Sequence, residues 1–120
     1  MKRASENILE IRIGKKKAVA SFRNTNRLNI LNAEAIRLGL IDIVTNRNSE
    51  TEVDLTGINF IDSSIIDTLN LLGRMAKRFN SSFFLTHINN ELMELIELVK
   101  MHTVFDIRIK KEKDESRYAA

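Results

Sequence analysis

Apolar and polar residues alternate near the start of the chain, in the pattern of half-buried β-strands. Leu9, Ile11 and Ile13 share one face of the first predicted strand. A turn follows at residues 14–17, whose glycine can adopt a positive φ, and a second strand is expected over residues 18–22. The chain is therefore predicted to open with a β-hairpin.

Apolar residues then recur at helical spacing in three segments. The first helix is predicted to have Asn32 as its N-cap and to end near Thr45. The second is expected over residues 63–79, and the third from Asn89–Asn90 to about Met101. Their apolar stripes are, in turn, Ala33, Ile36, Leu40 and Val44; Ile65, Leu69, Leu72, Ala76 and Phe79; and Leu92, Leu95, Ile96 and Val99.

Strands separate these helices. Residues 51–56 form the third predicted strand, residues 82–88 a central strand with a continuous apolar run, and residues 104–109 an edge strand. The order is ββαβαβαβ, which predicts a single α/β domain with a mixed, mostly parallel sheet. The core should span about residues 8–109, and residues 110–120 form a charged, flexible tail.

Composition narrows the class of protein further. A length of 120 residues suits one domain, and the absence of cysteine excludes disulfides and thiolate chemistry. Neither a signal peptide nor an apolar run of membrane-spanning length is present, so a cytoplasmic protein is expected. The net charge is +3, but the basic residues are scattered, which favours solvated surface over a nucleic-acid interface.

Few residues could carry catalysis. His87 and His102 have no partner at metal-ligand spacing and are predicted to be structural or surface histidines. The four glycines form no phosphate-binding loop, and Asp62 and Asp67 do not form an acid/base pair on one helix face. We therefore expect no catalytic residues, no metal, no cofactor and no enzymatic activity.

The turn Asp62-Ser63-Ser64 has two interpretations. As a helix cap, the Asp62 carboxylate accepts hydrogen bonds from free backbone N–H groups and suits the positive end of the helix dipole. As a regulatory site, the turn presents a serine on rigid structure, where an added phosphate would place negative charge in a docking surface. Residue types alone favour the cap but do not exclude the second role.

The stretch from Val53 to Ser64, VDLTGINFIDSS, resembles the signature of the STAS domain, the sulfate transporter and anti-sigma factor antagonist family. Residues 28–34 resemble that family's loop into its first helix, and Phe105 fits its usual ending. The resemblance extends from about residue 8 to residue 109. It implies partner switching: such a domain binds an anti-sigma factor that is also a serine kinase, is phosphorylated on the second serine, here Ser64, and is reset by a phosphatase.

Two positions depart from the family pattern. Ile65 stands where glycine is usual, and Asn29 where an acidic residue is usual. Both favour an alternative, a non-phosphorylated STAS subunit of a transporter or larger signalling assembly. A second apolar strip on the second helix, formed by Ile66, Leu71 and Met75, either packs in the core or is a docking surface. The predicted partner-binding residues are Asn29, Asp62, Ser63, Ser64, Ile65, Leu71 and Met75; self-association stays open.

Overall fold

A computed structural model describes residues 8–105 and 107–110 of the chain. Its strands are β1 (Leu9–Gly14), β2 (Lys17–Phe22), β3 (Arg27–Leu28), β4 (Glu50–Asp54), β5 (Phe60–Ile61), β6 (Ser82–Thr86) and β7 (Arg108–Ile109). Its helices are α1 (Ile30–Val44), α2 (Ser63–Arg78) and α3 (Asn90–His102). The short strands β3 and β5 were not predicted. The part of the predicted tail that follows Lys110 lies outside the described residues.

The main sheet has five strands in the order β1-β2-β4-β6-β7. β1 and β2 pair antiparallel, and the other neighbours pair parallel. The predicted fold class, a single α/β domain with a mixed, mostly parallel sheet, is confirmed. None of the described helices is long and apolar enough to cross a membrane.

The predicted hairpin turn forms, but a different residue from the expected one adopts the left-handed conformation. Gly14 still belongs to β1 and pairs with Lys17, so the loop has only two residues. Lys16 has the positive φ, 55°. The turn lies at residues 14–17 as predicted, but its positive φ belongs to Lys16 and not to the glycine.

One hydrophobic core joins the sheet to all three helices. Val53 and Leu85 from neighbouring central strands meet buried residues of each helix, among them Leu40, Leu69 and Ile96. Helix α1 also crosses β1 closely. A Cβ added at Gly39 would lie 2.7 Å from the Ile11 side chain, so only glycine fits that crossing without a shift. Ile13 follows Leu9 and Ile11 at strand spacing, but it lies at the hairpin end and is exposed.

The two-residue strands β3 and β5 form a separate parallel pair, which positions the candidate site. Leu28 pairs with Ile61, and the Asp62 N–H donates to the Leu28 carbonyl at 3.2 Å. A turn with Gly57 at φ 83° leads the chain from β4 into this pair. Because each short strand is followed directly by a helix, the starts of α1 and α2 lie side by side.

The predicted N-cap of the first helix, Asn32, is wrong by three residues. Asn29 is the N-cap, and its Oδ1 accepts from the Leu31 N–H at 2.9 Å. The Asn32 side chain reaches back and accepts from the Asn29 N–H at 2.8 Å. The two asparagines thus form a reciprocal capping box, and the helix begins at Ile30.

Candidate functional site

The Asp62 carboxylate joins the starts of two helices. Its Oδ1 accepts from the Ile65 N–H at 3.1 Å, which is the N-cap bond of α2. Its Oδ2 accepts from the Ile30 N–H of α1, also at 3.1 Å. Both N–H groups belong to first turns, which have no partner within their own helix. One side chain therefore caps α2 and holds α1 against it.

The Ser64 hydroxyl completes this arrangement. Its Oγ donates to Asp62 Oδ1 at 2.6 Å, a short bond typical of a hydroxyl and a carboxylate. Ser64 is half-buried by this contact, whereas Ser63 is exposed. The two adjacent serines thus differ: Ser64 belongs to the hydrogen-bond network of the turn, and Ser63 faces solvent.

Two opposing effects act on the pKa of Asp62. Partial burial raises the pKa, and hydrogen bonds from the Ser64 hydroxyl and from the N–H groups of Ile65, Ile30 and Ser64 lower it. The hydrogen bonds outweigh burial, so the pKa of Asp62 lies below its ordinary value of 3.8. The carboxylate is therefore charged at neutral pH, in keeping with its place at two positive helix ends.

Ile65 was predicted to contact a partner, but it is a core residue. Its exposed fraction is 0%, and it belongs to the main hydrophobic core. The reason is helical spacing, which places Ile65 on the same buried stripe as Leu69 and Leu72. Its side chain contacts the interior, so the prediction that it contacts a partner is wrong.

Leu71 and Met75 lie seven and eleven residues after Ser64, so all three share one face of α2. Leu71 is 36% exposed, whereas Met75 is half-buried and packs against the core. The exposed part of the apolar strip on α2 is therefore narrower than predicted. The role of this strip in binding a partner stays a prediction.

A larger apolar surface surrounds the turn on other elements. Ile30 and Leu31, at the start of α1, are 67% and 78% exposed. An apolar groove of about 430 Å³ also runs between α2 and α3; its lining includes Ser63, Ile66 and the exposed Leu98. Ser63 was predicted to bind a partner, whereas Ile30, Leu31 and Leu98 were not predicted. Ile30 and Leu31 could have been noticed, because they precede the apolar stripe of α1 instead of belonging to it.

His87 differs from its prediction in both conformation and surroundings. It follows β6 with φ 58°, outside the strand in which it was expected. Its Nδ1 lies 3.2 Å from Asp54 Oδ1 and 3.9 Å from Glu52 Oε2. His87 is exposed, as predicted for a surface histidine, but two carboxylates lie beside it that the sequence spacing did not indicate. His102, by contrast, lines the apolar groove.

Comparison with known proteins places this geometry in a family. A family model described as the STAS domain matches residues 10–116, nearly the whole chain. No curated protein sequence matches the chain.

Solved structures share the fold. A STAS domain protein from Planctomyces limnophilus, described as an anti-sigma-factor antagonist, is 19% identical with a TM-score of 0.71, over 92% of this chain and 95% of that one. A putative anti-sigma factor antagonist from Thermotoga maritima is 17% identical with a TM-score of 0.67, over 98% and 97%. The murine Solute Carrier 26 family member A9 anion transporter is 17% identical with a TM-score of 0.59, over 87% of this chain but 18% of the transporter chain.

Proposed function

The chain belongs to the STAS domain family, and from this premise we propose that it is an anti-sigma factor antagonist that works by partner switching. It binds an anti-sigma factor that is also a serine kinase, and phosphorylation of Ser64 by that kinase ends the binding. The observation that carries this proposal is the 2.6 Å bond between Ser64 Oγ and the Asp62 carboxylate, at a helix start beside exposed apolar residues.

The partner is proposed to dock on the surface around the serine turn, formed by Ile30, Leu31, Ser63, Ser64 and Leu98. Its apolar members are large side chains exposed on two different helices. Exposed apolar residues grouped beside polar ones are typical of protein-binding surfaces. The partly exposed Leu71 extends this surface along the Ser64 face of α2.

A phosphate on Ser64 acts first on Asp62. It replaces the hydroxyl proton that now joins Ser64 Oγ to Asp62 Oδ1, and it brings between one and two further negative charges next to a charged carboxylate. The hydrogen bond is lost and the two groups repel each other. The N–H groups at the start of α2 and its dipole tolerate the phosphate, so the helix itself persists.

The effect then extends to α1 through the second carboxylate oxygen. Because Asp62 Oδ2 accepts from the Ile30 N–H, displacement of the carboxylate releases the first turn of α1. That turn carries Ile30 and Leu31, which belong to the proposed docking surface. Phosphorylation therefore adds charge to the surface and also loosens part of it.

The chain itself performs no catalysis in this scheme. ATP belongs to the kinase, a separate serine phosphatase restores the unmodified state, and the exchange takes place in the cytoplasm. The transporter-subunit alternative loses the support that it drew from Asn29 and Ile65. Asn29 caps α1 and Ile65 fills the core, so each has a structural role that does not depend on phosphorylation.

Capture from a lysate of the source cells, followed by reconstitution, tests the proposal. The tagged chain should retain a protein with serine kinase activity, identified by mass spectrometry. That protein, purified and supplied with Mg²⁺ and ATP, should add one phosphate to the wild-type chain and none to Ser64→Ala. Ser63→Ala, the matched control, should still accept the phosphate.

Binding to the purified kinase gives the second measurement. Ser64→Asp should weaken binding by ~10-fold or more, whereas Ser63→Asp should weaken it less, because the hydroxyl that donates to the Asp62 carboxylate is that of Ser64. Phosphate transfer to Ser63 alone, or equal binding by both aspartate variants, contradicts the proposed switch. Capture of a transporter in place of a kinase supports the alternative.

A further inference from the structure

A second cluster of polar side chains lies at the carboxyl ends of two central strands. Glu52 and Asp54 are two residues apart on β4 and therefore point to the same face of the sheet. β6 runs parallel beside it, with Thr86 paired to Asp54, and His87 follows at once. The register of the sheet brings the two carboxylates and the imidazole together.

The ligand atoms of this cluster lie close to the spacing found around one small cation. His87 Nδ1 lies 3.2 Å from Asp54 Oδ1 and 3.9 Å from Glu52 Oε2, and all three ligand atoms lie within 4.8 Å of one another. Around tetrahedral Zn²⁺, bonds of about 2.0–2.2 Å place neighbouring ligand atoms roughly 3.3–3.6 Å apart. Small side-chain rotations would therefore suffice to close the site.

Hydrogen bonds from outside the three side chains orient both carboxylates. The Thr86 hydroxyl donates to Glu52 Oε2 at 2.6 Å, and its oxygen lies 3.0 Å from His87 Nδ1. The Thr56 hydroxyl and N–H donate to Asp54 Oδ1 at 2.6 and 3.0 Å. Partners of this kind hold the ligands of metal sites in place and raise their affinity for the ion.

The donor set and its exposure select the class of ion. One imidazole nitrogen with two carboxylates suits Zn²⁺ and similar transition metals, whereas Ca²⁺ and Mg²⁺ prefer oxygen ligands throughout. The side chains of Glu52 and Asp54 are 20% and 23% exposed and that of His87 is 44% exposed, so solvent and ions reach the site. Three protein ligands leave a fourth position for water.

We propose that Glu52, Asp54 and His87 form a binding site for a divalent transition-metal ion, best fitted by Zn²⁺. The site uses none of the residues of the serine turn, and its existence does not depend on the proposed partner switch. The chain has two histidines, and the partner switch uses neither; the metal site gives one of them a role.

Zn²⁺ titration of the tag-free chain by isothermal calorimetry tests the site. We expect one Zn²⁺ per chain and little heat from Mg²⁺ or Ca²⁺. Glu52→Gln, Asp54→Asn and His87→Gly should each weaken Zn²⁺ binding by ~10-fold or more, and Thr86→Val by about 10-fold through loss of its support. Glycine is chosen at position 87 because it accepts the positive φ found there.

His102→Ala is the matched control and should bind Zn²⁺ as the wild type does. Nitrogen NMR of the imidazoles gives a measurement without any substitution: Zn²⁺ should shift the signals of His87 and leave those of His102 unchanged. Absence of binding, tighter binding of Ca²⁺ than of Zn²⁺, or a shift confined to His102 overturns the proposal. The cluster would then be a histidine–carboxylate ion-pair network only.

Discussion

The starts of α2 and α3 have the same kind of N-cap, but the two cap side chains differ in the second hydrogen bond that they make. Each helix has an acceptor side chain as N-cap, and Asp62 Oδ1 bonds the Ile65 N–H as Asn89 Oδ1 bonds the Leu92 N–H, at 3.1 and 2.8 Å. Asn89 uses its amide nitrogen to donate to the Ile58 carbonyl at 3.3 Å. Asp62 uses its second oxygen to accept from the first turn of α1.

The difference follows from the chemistry of the two side chains. An amide has one acceptor oxygen, which the cap bond uses, whereas a carboxylate has two oxygens and a charge. Asp62 can therefore accept from two helices and from the Ser64 hydroxyl at once. A helix cap of ordinary type becomes a junction, and the junction is where a phosphate would act.

The largest expected effect compares the two caps directly. Asp62→Ala should lower the free energy of unfolding by about 2 kcal/mol, since it removes a cap and also the bond to Ile30. Asn89→Ala, which removes a cap and one long bond, should cost about 1 kcal/mol. Urea unfolding monitored by circular dichroism measures both. Equal losses would show that the contact with α1 adds nothing.

A smaller effect separates the two serines of the turn. Ser64→Ala removes the hydroxyl bond to the charged carboxylate and should cost about 1 kcal/mol. Ser63→Ala changes an exposed residue and should alter stability by less than about 0.5 kcal/mol. The same urea unfolding measures the pair. A larger loss for Ser63→Ala would contradict the assignment of the network to Ser64.

The smallest expected effect is the acid dependence that Asp62 contributes. Its pKa is lowered in the folded chain, so the unfolded chain binds the proton more tightly. The contribution is present in full above the unfolded value of 3.8 and is lost as pH falls through the lower folded value. Unfolding measured from about pH 5 downward should therefore show a steeper loss for wild type than for Asp62→Asn. Parallel curves would mean that the carboxylate charge does not stabilise the junction.

Much of the fold follows from local patterns in the sequence. The α/β order and the helices were predicted because apolar spacing of two or close to four residues reports the local backbone directly. The start of α2 at Asp62 was also predicted, since a strong cap residue directly precedes an apolar stripe at helical spacing there. The start of α1 was not, because Asn29 and Asn32 are equally good caps and both belong to the capping box.

The sequence predicted which apolar stripe of a helix is buried, but it did not predict the burial of individual residues near the serine turn. Ile65 fits both the core stripe of α2 and, by its neighbours, a partner surface. Only packing of all three helices onto the sheet places it in the interior. The same packing leaves Ile30 and Leu31 exposed, although their side chains are as apolar as those in the core.

By itself, the sequence determined the fold class, the serine turn and its resemblance to the STAS domain, because each depends on residues close together in the chain. Tertiary structure alone decided that Asp62 meets Ile30, 32 residues away, and that His87 meets Glu52 and Asp54. Both meetings depend on the register of parallel strands, β3 with β5 and β4 with β6. The hydrophobic pattern of one strand indicates which of its faces is buried, but which residues of two distant strands pair is decided only when the strands pack together.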